Sequence, residues 1–168
     1  MSNIIVLVKQ VPDTNARIVL SGDRVDLSAV KKVMSPYDEF AVETALQHRE
    51  ANGGEVTAVT VGDAGADKVL KDAKAIGVDH IVRIDSSASL DSNALQSVLA
   101  SVVKSMDATV VYCGKSAADT GAGSTGPGLA ERLGWASVSN STSVAFGDQL
   151  SVITPSAGGN ARYNVPLP

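Results

Sequence analysis

Hydrophobic positions along this chain switch regularly between the period of a buried strand and that of a helix. Ile4 to Val8 is an unbroken apolar run, the mark of a strand buried on both faces. Ala16 to Leu20 and Arg24 to Leu27 flank Ser21-Gly22-Asp23, which predicts a surface hairpin. Ser35-Pro36-Tyr37-Asp38 reads as a helix start. Ser35 can cap, Pro36 suits the first helical position, and Asp38 would close an acidic variant of the capping box. The helix is expected to run to about Asn52 and to stop at Gly53-Gly54. Val56 to Val61 is the second core strand, and Val69, Leu70, Ala73 and Ile76 recur at helical spacing ahead of Gly77. His80 to Ile84 is a third strand and Thr109 to Cys113 a fourth. Between them Leu95, Val98, Leu99, Val102 and Met106 form a helical stripe. A last helix is expected to open just beyond Pro127.

This alternation predicts parallel βαβ units with right-handed crossovers. The expected class is α/β: a single domain over 1–168 with an open, doubly wound, mostly parallel sheet, Rossmann-like and of the adenine-nucleotide-binding type. After Leu133 the pattern changes. Val138, Val144 to Phe146, Leu150 to Ile153 and Arg162 to Val165 predict a β-rich C-terminal part without intervening helices. Ligands of such sheets sit beyond the carboxyl ends of the strands, near the point where strand order reverses. The loops there are Lys9 to Asp13, Gly62 to Ala66 and Gly114 to Gly126.

The third loop carries the most chemistry. Gly121, Gly123 and Gly126 would let successive N–H groups face one anion, and Ser124 and Thr125 can donate hydroxyls or cap the helix that follows. A helix N-terminus suits a phosphate. The pattern is neither a P-loop, since no Gly-Lys-Ser/Thr follows, nor a Rossmann fingerprint, given its late position and spacing. Asp119 would repel a nearby phosphate, so a role on a sugar hydroxyl or in bracing the loop fits better. Lys9 and Lys115 each follow a strand and read either as solvated loop lysines or as site cations.

Composition narrows the function. The chain has 168 residues, a net charge of −4 and only 4% aromatics, with no basic stripe. That argues against nucleic-acid binding. The longest aliphatic run is far too short to span a membrane, and the N-terminus lacks the features of a signal peptide. Cys113 is the only cysteine, so no internal disulfide forms; a reducing, cytoplasmic setting and an inert buried thiol are expected. His48 and His80 stand apart in sequence and read as surface or structural residues. No catalytic triad, carboxylate pair or metal set is visible, which favours binding over autonomous catalysis.

Five blocks taken together resemble the β subunit of electron transfer flavoprotein, the Etf-β/FixA family. They are V-K-Q-V-P-D at Val8 to Asp13, M-S-P-Y-D-E-F-A-V-E-T-A at Met34 to Ala45, V-T-V-G at Val59 to Gly62, K-A-I-G-V-D at Lys74 to Asp79, and C-G-K-S-A-A-D…S-T-G…L-G-W from Cys113 to Trp135. The resemblance implies a heterodimer with an FAD-bearing α subunit that shuttles electrons between dehydrogenases and a quinone reductase or other acceptor. It implies that the β chain itself binds AMP, or a second FAD in bifurcating members, without nucleic-acid or membrane partners. The nucleotide contacts it implies are Val8, Lys9, Ser35, Pro36, Tyr37, Asp38, Val61 and the loop carrying Gly114, Lys115, Asp119, Gly121, Gly123, Ser124, Thr125 and Gly126. Asp119 and Thr125 match positions near the ribose and phosphates. Two departures stand out. Thr120-Gly121-Ala122-Gly123-Ser124 is smaller than the acidic, amide-rich loop of many members, which shifts phosphate binding towards backbone. The motif Tyr163 to Pro168 leads, in the family, into a further strand, a partner-recognition loop and a C-terminal arm, so truncation before that arm is expected. The alternative is a stand-alone nucleotide-binding module of the universal-stress-protein type.

Two substitutions test this reading. Gly126→Val is expected to abolish nucleotide retention with little change in packing, checked by nucleotide occupancy. Val98→Asp is expected to unfold the domain by placing an unpaired charge in the apolar stripe, checked by denaturation.

Overall fold

The computed structural model describes residues 2–167. From the N-terminus, β1 (Asn3–Leu7) leads to β2 (Gln10–Pro12), β3 (Val19–Ser21), β4 (Arg24–Asp26), β5 (Lys32–Met34) and α1 (Pro36–Asn52). Next come β6 (Glu55–Gly62), α2 (Asp67–Ile76), β7 (His80–Asp85), α3 (Ser92–Ser105), β8 (Val110–Cys113) and α4 (Thr125–Leu133). Three antiparallel strands follow: β9 (Ser143–Ala145), β10 (Gln149–Ser156) and β11 (Gly159–Pro166).

The central sheet is parallel, with strand order β7-β6-β1-β8. Its faces follow from the two-residue period of β1. Ile4 and Val6 point to one side and pack with Val42 and Ala45 of α1, Val56 and Ala58 of β6, and Val69, Leu70 and Ala73 of α2. Ile5 and Leu7 point to the other and pack with Val59, Leu99, Val103 and Leu129. Two helices therefore cover each face, as the α/β, doubly wound expectation requires. β1, β6 and β7 step outward in one direction; the chain then crosses back to lay β8 on the opposite flank of β1. Strand order reverses between β1 and β8, so the ligand crevice of this fold opens above their carboxyl ends.

Several sequence expectations need correction. Part of the Lys9 to Asp13 loop is β2, which pairs antiparallel with β5 because Val11 is fully buried there. The hairpin is shorter than expected, β3 against β4 around Gly22, whose φ is +65°. Ile76 is exposed, and Val138 lies outside any strand. α4 opens at Thr125 rather than beyond Pro127, so Pro127 sits in the first turn, where a missing N–H costs nothing.

The stripe of α3 is also rotated from its expected line. Its buried face is Gln96, Leu99, Ala100 and Val103, while Val98 is only partly covered. The cause is α4, which lies against α3 and draws Gln96 inward. Val103→Asp is therefore expected to abolish cooperative unfolding or cost several kcal/mol, from burial of an unpaired charge. Val98→Asp should cost less than about 1 kcal/mol in urea denaturation. Equal losses in the two variants would refute the rotated packing.

Candidate functional site

β1 and β8 end side by side, with Leu7 opposite Cys113. The backbone N–H groups that emerge next belong to Lys9 and Gly114, and α1 begins above them. Its entry is pinned by Ser35, which is fully buried. The Ser35 N–H donates to the Lys9 carbonyl at 2.9 Å, and its hydroxyl oxygen accepts from Ala118 N–H at 3.3 Å. The hydroxyl therefore does not cap α1, contrary to expectation.

Asp38 does not close a capping box either. Its carboxylate turns down into the crevice and accepts from Lys9 N–H at 2.8 Å and Gly114 N–H at 3.1 Å. Only 7% of the residue is exposed. Burial raises its pKa to about 6, against the lowering effect of those two N–H donors and of the Lys9 charge. Gly114 is a glycine for reasons of space: a Cβ there would meet Asp38 Oδ1, and would lie 2.8 Å from the Tyr37 carbonyl carbon. Lys9 continues upward, and its ammonium binds Asp119 at 2.8 Å from both carboxylate oxygens. That pair is partly solvated and contributes little to stability, but it ties the Gly114–Gly126 loop to the end of β1.

Next to this brace lies a cleft of about 920 Å³. It is lined by Tyr37 and Phe40 of α1, the free edge of β8, Gly114 and Lys115, Leu133 and Trp135, and Val144, Leu150, Val152 and Val165 of the C-terminal strands. Gly121 and Gly123 at its rim both have φ of +63°, which a side chain would strain. The loop between them and α4 leaves the N–H groups of Ser124, Thr125 and Gly126 without a partner among the described residues. Lys115 is the one Lys or Arg lining this cleft among the described residues.

The residues expected at the site thus divide. Tyr37, Gly114, Lys115, Gly121, Gly123 and Gly126 line the cleft, whereas Lys9, Ser35, Asp38 and Asp119 form the brace beside it and Pro36 opens α1. Ser124 and Thr125 stand at the start of α4, and Ser124 makes no side-chain cap. Val8 is buried in the core and Val61 packs on the opposite core, so neither side chain reaches the cleft. Gly126 needs correction in another sense. A Cβ there would lie 2.8 Å from Cys113 Sγ, so Gly126→Val would disturb packing as well as any ligand. The Cys113 thiol is held up at about 11, by burial and then by the nearby Asp38 charge, so it is inert.

Gln96 was missed as a site-shaping residue. Its Nε2 donates to the Ser124 carbonyl at 2.9 Å, and Gly128 leaves room for its amide. The signal was present: Gln96 is the polar member of a Gln96-Leu99-Ala100-Val103 series at helical spacing. His48 was expected to be surface or structural; it is fully buried and structural, whereas His80 is exposed.

Residues 24–166 match the family model for the electron transfer flavoprotein domain. The chain belongs to the electron transfer flavoprotein family, on its β-subunit side. It is 37% identical over 134 residues to the electron transfer flavoprotein subunit beta of Bacillus subtilis (strain 168), covering 78% of this chain and 52% of that protein. It is 35% identical over 140 residues to the FixA protein of Azorhizobium caulinodans, covering 79% and 50%. The subunit beta of Syntrophomonas wolfei subsp. wolfei is 30% identical over 167 residues, covering 98% and 66%. The chain thus spans about half the length of the first two of these relatives. No helix among the described residues is long and apolar enough to cross a membrane, and they contain no His/Cys/Asp/Glu group able to hold a metal.

Two predictions follow from the brace. In Gly114→Ala the methyl group collides with α1's first turn, and a loss of about 2 kcal/mol is expected in denaturant unfolding. The second concerns pH. The Asp38 carboxyl binds its proton more tightly folded, at about 6, than its ordinary value of 3.8. Its stabilising contribution is therefore complete below that ordinary value and is lost as pH rises towards 6. Relative to Asp38→Asn, wild-type stability should fall across this window by at most about 3 kcal/mol. A wild-type advantage that grows with pH there would contradict this assignment. The variant itself should be weaker throughout, because an amide leaves one backbone N–H facing a donor.

Proposed function

We propose that this chain is the nucleotide-binding part of an electron transfer flavoprotein β subunit, holding AMP or FAD in the cleft beside β8. The carrying observation is the run of unpartnered N–H groups at Ser124, Thr125 and Gly126 at the start of α4, where Gly126 lines a cleft of about 920 Å³. A phosphate there meets the positive end of α4 and the Lys115 ammonium. The Gly114 and Lys9 N–H groups are committed to Asp38, and the Lys9 ammonium to Asp119, so the phosphate is held from the α4 side. Gly121 is open to a ligand, with nothing within 4 Å of where a Cβ would stand. The cleft size is within the range of small-molecule sites, and its apolar lining, which includes Tyr37, Phe40 and Trp135, suits a flat ring.

The relatives' names, electron transfer flavoprotein subunit beta among them, support a role in electron transfer as one subunit of an assembly; pairing with an α subunit and passing electrons from dehydrogenases to an acceptor belong to the same proposal. The flavin supplies the redox chemistry when bound. This chain's residues bind and orient: α4 takes the phosphate, Gln96 holds α4 in place through the Ser124 carbonyl, and the Asp38 brace fixes the crevice floor.

Denaturing release of small molecules from freshly purified protein, read by mass spectrometry and visible absorbance, should yield AMP or FAD. In calorimetry, protein stripped of nucleotide should bind AMP more tightly than adenosine, and Lys115→Ala should narrow that difference by about tenfold. Protein that releases no adenine nucleotide and binds no added AMP would overturn the reading.

A further inference from the structure

We propose that His48 is an acid-released clasp holding the antiparallel β9–β11 sheet against the α/β unit and over the cleft. His48 lies in α1 and is fully buried. Its Nδ1 is 2.9 Å from the Tyr112 hydroxyl. The Phe146 ring, in the turn between β9 and β10, stacks on the imidazole with centroids 5.2 Å apart and planes 23° apart. Tyr112 meets it edge-on, at 5.9 Å and 86°. One helical turn further along α1, Asn52 Nδ2 donates to the Gly147 carbonyl at 2.9 Å. Two residues of α1 thus grip two consecutive residues of the turn.

What sits on this grip is a wall of the cleft. Leu150, Val152 and Val165 of the sheet line it, and so does Tyr112 of β8. The segment after Trp135 is fastened to the same sheet, with Thr142 N–H donating to the Ile153 carbonyl at 2.8 Å and the Thr154 hydroxyl to the Ser139 carbonyl at 3.2 Å. Displacing Phe146 therefore displaces a wall, not a single side chain.

The imidazole can hold this place only while neutral. His48 Nε2 is buried and has no hydrogen-bond partner, the one such side-chain atom among the described residues. A second ring proton would leave a buried cation with an N–H and no acceptor. No charge nearby offsets it. From β8 the facing group is Tyr112, whose phenol burial keeps protonated. β1 and β6 present Ile4, Val6, Val56 and Ala58 to α1. On α1 itself, Arg49 is paired with Asp79, and Asp38 is engaged at the far end of the helix. Asp148, beside the Phe146 turn, is exposed. Burial accordingly holds His48 below the ordinary histidine value. The docked sheet binds fewer protons than the released one, so docking is complete above that value and is lost as pH falls below it.

Trp135, the single tryptophan, lines the cleft and reports on its wall. In this protein, titrated from about pH 7.5 to about pH 4.5, the His48 ring resonance should titrate below the ordinary histidine value. Trp135 emission should shift to the red in step with it, while far-UV circular dichroism stays constant. His48→Phe keeps the stacked ring without an ionisable nitrogen and should lose the emission change. A transition that survives in His48→Phe belongs to another group, Asp38 included, and overturns the proposal. So does flat emission in the wild type, or an emission change that coincides with loss of the circular dichroism signal. Phe146→Ala, which removes the stack directly, should show the red-shifted emission already at neutral pH; unchanged emission there overturns the proposal as well. The emission is read on protein stripped of nucleotide, because Trp135 lines the cleft; the His48 resonance and the circular dichroism do not depend on what the cleft binds.

Discussion

Two backbone N–H groups emerge where the parallel strands β1 and β8 end, and one buried carboxylate accepts both. Asp38 can do so only because α1 starts directly above the crevice, and α1 can start there only because residue 114 has no side chain. Ser35 and the Lys9–Asp119 pair extend the same knot to the long loop after β8. The crevice floor and the first half of that loop take their position from this knot. Burial makes the ionised carboxylate expensive, and the two N–H donors only partly offset that cost. The protein therefore accepts a local cost in stability in return for a fixed crevice floor.

A consequence is a division of labour inside one loop. Its first half, Gly114 to Asp119, is committed to structure through main-chain and side-chain bonds to Asp38, Ser35 and Lys9. In its second half the Gly121 N–H, expected to face an anion, is taken by the Ala117 carbonyl at 2.8 Å, and the free N–H groups are those at the start of α4, with open space only at Gly121. An acidic residue such as Asp119 next to an anion site is unfavourable if its charge is free. Paired with Lys9 it is neutralised, and the helix N-terminus keeps its attraction for a phosphate.

The C-terminal strands relate to the core in a different way. Their hydrogen bonds are mainly to one another, and Leu150 and Val152 bury themselves against the cleft rather than in either main cluster. Their attachment to α1 rests on an aromatic stack and one amide bond. Aromatic stacking is worth only about 1 kcal/mol, small enough for the protonation of one buried ring to compete with it.

By itself the sequence determined the layered α/β architecture and named the loops at the carboxyl ends of its strands; which two strands frame the crevice came from the strand order. The runs Ile4 to Val8 and Val56 to Val61 can only be satisfied by burial on both faces, and a helix between them forces parallel pairing. Gly121 and Gly123 were legible as candidate site residues from the small-residue loop before a helix, whereas Lys115, left open between a solvated lysine and a site cation, is placed on the cleft only by the tertiary structure. Only the tertiary structure decided which polar groups remain free. Asp38 read as a local cap, since a capping box is a short-range pattern, yet its partners lie 29 and 76 residues away. Gln96 hid in an apolar stripe, and His48 looked like any isolated histidine until Phe146, from a distant turn, closed over it. Periodicity reports which face is buried; it carries no information about the element that arrives to bury it.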